Sequence, residues 1–156
     1  MNNFPSNHPD FTPPQPISSA PADAKPETSC GAVIVNNGKV LIAHQQNGLS
    51  GFPKGHIEPG ETEPEAALRE VKEETDLDII LDERTRFAFS YYIPRLNVLK
   101  TVVLFLASLK DPSETPTEQP DEIAKLEWLP FDQVESTLNF PEWQRAWHAL
   151  RAKYLS

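Results

Sequence analysis

At 156 residues the chain has room for one domain with a proper core and not for two of ordinary size. Its net charge of −9 and pI near 4.9 exclude the broad basic face with which proteins grip long nucleic acid through phosphates; a small anionic ligand can still be held if local cations reverse the potential. The single cysteine, Cys30, leaves no internal disulfide, fits a reducing compartment, and within CGAVIV reads as a small buried hydrophobe. No stretch approaches the roughly 20 apolar residues of a membrane span, and the start of the chain lacks the basic and apolar regions of a signal peptide. A cytoplasmic location with no membrane partner is the expectation.

Residues 1–27 carry Pro5, Pro9, Pro13, Pro14, Pro16, Pro21 and Pro26 among small and polar residues, and are read as a disordered, partly extended tail that precedes a domain at 28–156. A proline-rich ligand for a partner is the alternative role for this tail. Order is expected from Cys30 to Val35, an apolar strand that reaches the turn residues Asn36, Asn37 and Gly38 and returns as Lys39 to His44. The segment GFPKGHIEPGE is punctuated by Gly and Pro and should be irregular, bringing backbone amides and Lys54 near a helix start. Thr62 and Glu65 form a capping box with Pro64 in the first turn, so the helix begins there and runs to about Thr75. Strands are expected over Asp78 to Leu81, Phe87 to Ile93, Val98 to Leu106 and Ala124 to Leu129, with a loop from Leu109 to Pro120. Phe131 to Thr137 and Pro141 to Tyr154 read as helices, the second presenting Trp143, Trp147 and Leu150 to the sheet. Helices on both sides of a mixed, mostly antiparallel sheet make an α/β/α sandwich.

The chemistry concentrates between Gly55 and Leu77. Glu70, Glu73 and Glu74 stand three and four residues apart, so one helix face gathers three like charges that repel unless a cation lies among them. Hard divalent ions such as Mg²⁺ or Mn²⁺ take oxygen ligands and share them with substrate phosphates. A helix rich in Glu and Lys is more commonly a solvated face, and the spacing of the surrounding residues decides between the two readings. From Gly55 the chain runs through five residues to Glu61, then seven to Arg69-Glu70-Val71-Lys72-Glu73-Glu74, and closes on Leu77.

This string resembles the Nudix box, G-x5-E-x7-R-E-U-x-E-E-x-G-U, with Asp76 standing where the pattern has Gly. Asp tolerates a left-handed helix end better than most residues, so the departure concerns helix termination and not the acidic set. The resemblance implies the Nudix α/β/α fold and a hydrolase of diphosphate linkages, with Glu70, Glu73 and Glu74 as metal-holding catalytic residues and Arg69 paired to Glu61. It also implies a further carboxylate before a late strand; Glu122 is the candidate, with Asp121 and Glu118 as competitors.

PKGHIEPGE is further similar to the asymmetric diadenosine tetraphosphate hydrolases, which cut a dinucleoside tetraphosphate with water into ATP and AMP. That likeness assigns Lys54, Gly55 and His56 to the phosphate chain, and Lys100 of Lys100-Thr101-Val102 beside them. Tyr92, alternating away from Phe87, Phe89 and Tyr91, is the candidate to stack a base. Ser50 departs from this subfamily, which commonly has Trp there. The expected partner is therefore a small nucleotide polyphosphate. The rivals are a nucleoside triphosphate pyrophosphatase, an RNA 5′-pyrophosphohydrolase, and a non-catalytic nucleotide sensor of the same fold. Oligomeric state leaves no mark in the sequence.

Overall fold

The computed structural model describes residues 13–155, in which seven strands form a mixed sheet flanked by helices. Strand β1 (Lys25–Asn36) buries Cys30, Ala32 and Ile34 toward one side and Val33 toward the other, a two-residue alternation that needs cover on both faces. Asn37 and Gly38, at φ of 52° and 73°, turn the chain into β2 (Lys39–Gln45). Two short strands, β3 (Ser50–Gly51) and β4 (Lys54–His56), then arise within the segment read as irregular. Helix α1 (Glu63–Thr75) follows, with its capping box formed by Thr62 and Glu65. It ends on Asp76 in the left-handed region, φ 59° and ψ 21°.

The stretch expected as two strands after α1 is one long strand, β5 (Ile79–Ile93), broken in register between Asp82 and Phe87. Thr85 bridges the break by donating to the Asp82 carbonyl at 2.6 Å and accepting from the Leu106 amide at 2.9 Å. Its partner β6 (Val98–Leu109), then β7 (Ile123–Pro130), α2 (Phe131–Thr137) and α3 (Pro141–Tyr154) complete the fold.

The strand order is β3-β2-β1-β6-β5, with β4 paired to β1 and β7 to β2; only β1 and β6 run parallel. Helix α1 covers one face through Ala66, Ala67 and Val71, against Cys30, Ala32 and Phe105. On the other face α3 lays down Trp143, Trp147 and Leu150 over Val33, Val102 and Leu104, each such side chain contributing about 1.5–3 kcal/mol by leaving water. Phe52 touches both indoles, with centroids 5.9 and 6.0 Å away.

The sheet forks at β1. Near the hairpin it pairs with β2, through Val35 with Val40 and Asn36 with Lys39, whereas Ser29 to Gly31 pair with His56 to Lys54 of β4. Gly31 permits that exchange, because any Cβ there would collide with the Pro53 carbonyl. Strand β2 meanwhile departs with β7, and a gap opens between the two branches.

The tail boundary shifts as well. Residues 1–12 lie outside the described residues, but β1 already begins at Lys25, where strand β6 supplies partners for Lys25 to Glu27. Gln15 exchanges two backbone hydrogen bonds of 2.8 Å with Tyr92. The stretch 13–27 is therefore attached to the sheet and is not a free tail, since Gln15 and Lys25 offer backbone groups that the neighbouring prolines do not remove. Among the described residues no helix is long and apolar enough to cross a membrane.

Candidate active site

The gap at the fork is a cleft of about 520 Å³. Its basic wall follows from strand alternation. Glu27, Ser29 and Gly31 share one face of β1, and their neighbours across the ladder are Lys100 on β6 and His56 and Lys54 on β4, so all three cationic side chains rise from the same face. Its acidic wall comes from Glu70, Glu73 and Glu74 of α1, with Asp121 and Glu122 at the entry to β7. Gln45, Gln46 and Asn47 close the third side, held to the β7 entry by a 2.8 Å bond from the Gln46 amide to the Glu122 carbonyl.

Gly55 joins the two walls. A Cβ on it would occupy the position of the Glu70 carboxylate, so only glycine lets α1 come this close to β4. Arg69 then organises the acids. It forms a fork on Glu61 at 2.6 and 2.9 Å, donates to the His56 carbonyl at 2.9 Å, and reaches Glu70 at 2.8 Å and Glu73 at 3.2 Å. The guanidinium pulls the Glu61 carboxyl down to about 2.

Two acids of the wall, Glu74 and Glu70, are pushed the other way. Burial, opposed by Lys54, raises the Glu74 carboxyl to about 7; this residue is 7% exposed and accepts from the Lys54 amide at 3.3 Å. Burial also raises Glu70, against the pull of Arg69. Across the cleft the direction reverses. Lys100, only 6% exposed, is lowered to about 8 by burial and then by Lys54. Lys54, whose ammonium lies 5.4 Å from the Trp143 ring centroid, and His56 are lowered first by burial. Glu27 partly offsets this, with its carboxylate 3.7 Å from Lys100 Nζ and 3.3 Å from His56 Nε2.

Glu70, Glu73, Glu74, Asp121 and Glu122 would supply the oxygen donors that a hard divalent cation takes, and such an ion would offset the burial that disfavours charge on Glu70 and Glu74. Among the described residues no three acidic, histidine or cysteine side chains are yet gathered to hold a metal, because Glu70 and Glu73 are turned onto Arg69. The donor chemistry fits the ion.

Of the residues singled out from sequence, Lys54, Gly55, His56, Glu70, Glu73, Glu74, Lys100 and Glu122 line this one cleft, with Asp121 beside Glu122. Glu118 is not among the lining residues. Tyr92 stands apart: it is buried, donates to Asn97 Oδ1 at 2.7 Å, and falls on the opposite side of β5 from Tyr91, the cross-strand neighbour of Lys100. Its hydroxyl is satisfied and its ring faces away from the cleft, which removes it as a base-stacking residue. Ser50 is occupied too, 2.7 Å from His44 Nδ1, while His44 Nε2 meets Glu127 at 2.9 Å. Sequence reasoning did not single out Glu27, Ser29 or Gln45 to Asn47. For the first two the available signal is strand parity with Lys100, which needs the β1–β6 register.

This fold and this pairing of a box helix with a basic strand face define a Nudix architecture, and the chain belongs to that family: the NUDIX domain model matches residues 25–152. Among curated relatives, Nudix hydrolase 5 of Arabidopsis thaliana is 32% identical over 135 residues, covering 82% of this chain and 43% of that protein. The asymmetrical bis(5′-nucleosyl)-tetraphosphatase of Rattus norvegicus is 34% identical over 129 residues, covering 73% of this chain and 86% of that protein. The fold is similar to a crystal structure of a C. elegans Ap4A hydrolase binary complex, with a TM-score of 0.70 at 23% identity over 82% of this chain and 99% of that one. The chain spans under half the length of the plant hydrolases it matches.

Proposed function

We propose that the chain is a Mg²⁺- or Mn²⁺-dependent hydrolase of a dinucleoside polyphosphate, cleaving a tetraphosphate asymmetrically, with water, into ATP and AMP. The observation that carries this reading is one cleft with a carboxylate wall and a lysine–histidine wall face to face, the complement of a polyphosphate chain that carries a divalent ion. The likeness to the rat tetraphosphatase supports the substrate class.

In this reading Glu70, Glu73, Glu74 and Glu122 would hold the cation, which would supply Lewis-acid polarisation of the phosphoryl group and a more acidic attacking water. Lys54 and Lys100 neutralise non-bridging oxygens, and His56, neutral or charged, donates from its ring. Gly55 keeps the backbone close enough for the two walls to act on one phosphate. Arg69 and Glu61 fix the loop before α1 so that these distances persist. The oxygen of water forms the new bond to phosphorus, the bridging P–O bond breaks, its electron pair leaves with the departing nucleotide, and the proton lost by the water is released to solvent.

A second reading has one observation in its favour. Among the described residues no Phe, Tyr or Trp lines the cleft, so the recognition groups on view read phosphate and not a second base. A nucleoside triphosphate pyrophosphatase fits that feature. Product analysis on dinucleoside polyphosphates, nucleoside triphosphates and triphosphorylated RNA, with and without Mg²⁺ or Mn²⁺, separates the readings. ATP and AMP from diadenosine tetraphosphate support the first, and pyrophosphate from triphosphates supports the second. A panel left intact with metal added leaves a nucleotide-binding sensor.

A further inference from the structure

Ser29 carries a hydroxyl with nothing to bond. It is 1% exposed, and Ser29 Oγ is one of two buried side-chain polar atoms that lack a hydrogen-bond partner among the described residues, the other being Glu142 Oε1. Buried hydroxyls are ordinarily satisfied, because an unpaired one loses its water for no return. Alanine or valine in the same strand would avoid that loss, and Ala32 and Val33 further along it are such residues.

The position of the orphan is informative. Ser29 lines the cleft, pairs across the ladder with His56, and lies between Glu27 and Gly31, whose own ladder neighbours are Lys100 and Lys54. The hydroxyl therefore points from the same strand face as all three cationic residues. A hydroxyl can donate, and both lysine ammonium groups are donors with no acceptor to offer. What is missing is an oxygen acceptor, and a phosphoryl oxygen has only acceptor capacity. Glu27 provides the comparison within the protein: its carboxylate, another oxyanion, already engages Lys100 and His56 but is not bonded to Ser29.

We propose that Ser29 is a substrate-binding residue, its hydroxyl donating to a non-bridging oxygen of the polyphosphate held by Lys54, His56 and Lys100 at the floor of the cleft. The inference rests on the reading that this cleft takes a polyphosphate, and it adds a strand residue outside both the box and the PKGH segment. Binding transfers Lys100 and His56 from the Glu27 carboxylate to the ligand and gives Ser29 its acceptor. The unpaired hydroxyl is thus a stability cost retained for recognition.

The test uses the full chain, Ser29→Ala and the isosteric Ser29→Cys, with imidotriphosphate and Mg²⁺ in titration calorimetry, steady-state kinetics on whichever substrate the panel reveals, and thermal unfolding without ligand. Losing one hydrogen bond to a charged group should raise the imidotriphosphate Kd and the KM of Ser29→Ala about tenfold. Ser29→Cys, a weak donor, should fall between Ala and wild type, and the unliganded melting temperature of Ser29→Ala should equal or exceed the wild-type value. Unchanged Kd and KM in Ser29→Ala, with wild type binding normally, overturn the role of Ser29 and leave the functional reading standing. A lowered unliganded melting temperature in both variants also overturns it, by showing the hydroxyl to be structural. A wild-type protein that neither binds imidotriphosphate nor cleaves any panel member removes the functional reading and this inference with it.

Discussion

Replacing Glu74 by Gln should make the metal-free protein more stable at pH 8 while abolishing turnover. The folded protein raises this carboxyl from its ordinary 4.5 to about 7, chiefly by burial. At 1.36 kcal/mol per pKa unit, holding it ionised costs about 3 kcal/mol. That figure is already net of the opposing pull of the Lys54 ammonium; Gln keeps the oxygen that accepts from the Lys54 amide but buries an amide NH2 beside it, which lowers the gain to about 1–3 kcal/mol. The pH window fixes the sign. Because the folded pKa lies above the unfolded one, the stabilising contribution of the protonated carboxyl is complete below 4.5 and is lost as pH rises through about 7. The advantage of Gln is therefore full at pH 8 and shrinks to under about 1 kcal/mol at pH 5. For a domain of this size the gain is a rise of roughly 3–10 °C in Tm at pH 8, read by thermal unfolding in chelator. Added Mg²⁺ should stabilise wild type by mass action and the variant much less. A variant less stable than wild type at pH 8 in chelator, or equally favoured at both pH values, would refute the burial argument.

Glu27→Gln should move the alkaline limb of kcat/KM to lower pH, because Glu27 raises a Lys100 that burial and Lys54 already hold near 8; an unmoved limb rules out Lys100 as the titrating phosphate contact. Gly55→Ala should reduce turnover by orders of magnitude, since the new methyl takes the place of the Glu70 carboxylate; a variant with wild-type kcat shows that this contact is dispensable. Asp76→Gly should stabilise the protein by up to about 1 kcal/mol in denaturant titration, by relieving a left-handed non-glycine residue and losing only an exposed pair with Lys72. Loss of stability there would show that the Lys72 pair outweighs backbone strain.

Local signals were legible wherever a local rule decided the outcome. The Asn37-Gly38 turn, the Thr62–Glu65 capping box and the Trp143–Trp147–Leu150 stripe each rest on neighbours within one or two turns of chain. The acidic wall of the cleft was legible for the same reason, since a helix period alone brings Glu70, Glu73 and Glu74 together. The fork of the sheet was not. It depends on β4 taking the place of β2 beside β1, a pairing between residues more than twenty positions apart that only the small size of Gly31 hints at. Ser29 and Glu27 were hidden behind it, because their relation to Lys100 is a register between strands some seventy residues apart. Tyr92 shows the converse failure. Alternation correctly separated it from Tyr91, but not which face opens onto the cleft, and α3 with the β1–β6 register settles that in favour of Lys100 and its side.

The two walls also show how an acidic protein would hold the polyanion proposed as its substrate. Arg69 serves as the internal cation of the acidic wall, and what it neutralises is selective: Glu61 is fully paired and pulled down, whereas Glu74 lies beyond its reach and Glu70 remains raised despite contact. Glu27 is the internal anion of the basic wall, and it is equally incomplete, since Lys100 remains lowered beside it. Each wall thus retains buried groups whose charged forms are underpaid by the protein itself. A divalent ion alone would relieve the first wall and a phosphate alone the second, but only a ligand that brings both relieves the pair together. Metal and polyphosphate should therefore bind with positive coupling, each raising the affinity of the other by the same factor. The proximity of the walls across Gly55 is what makes that coupling a property of the fold and not of either wall alone.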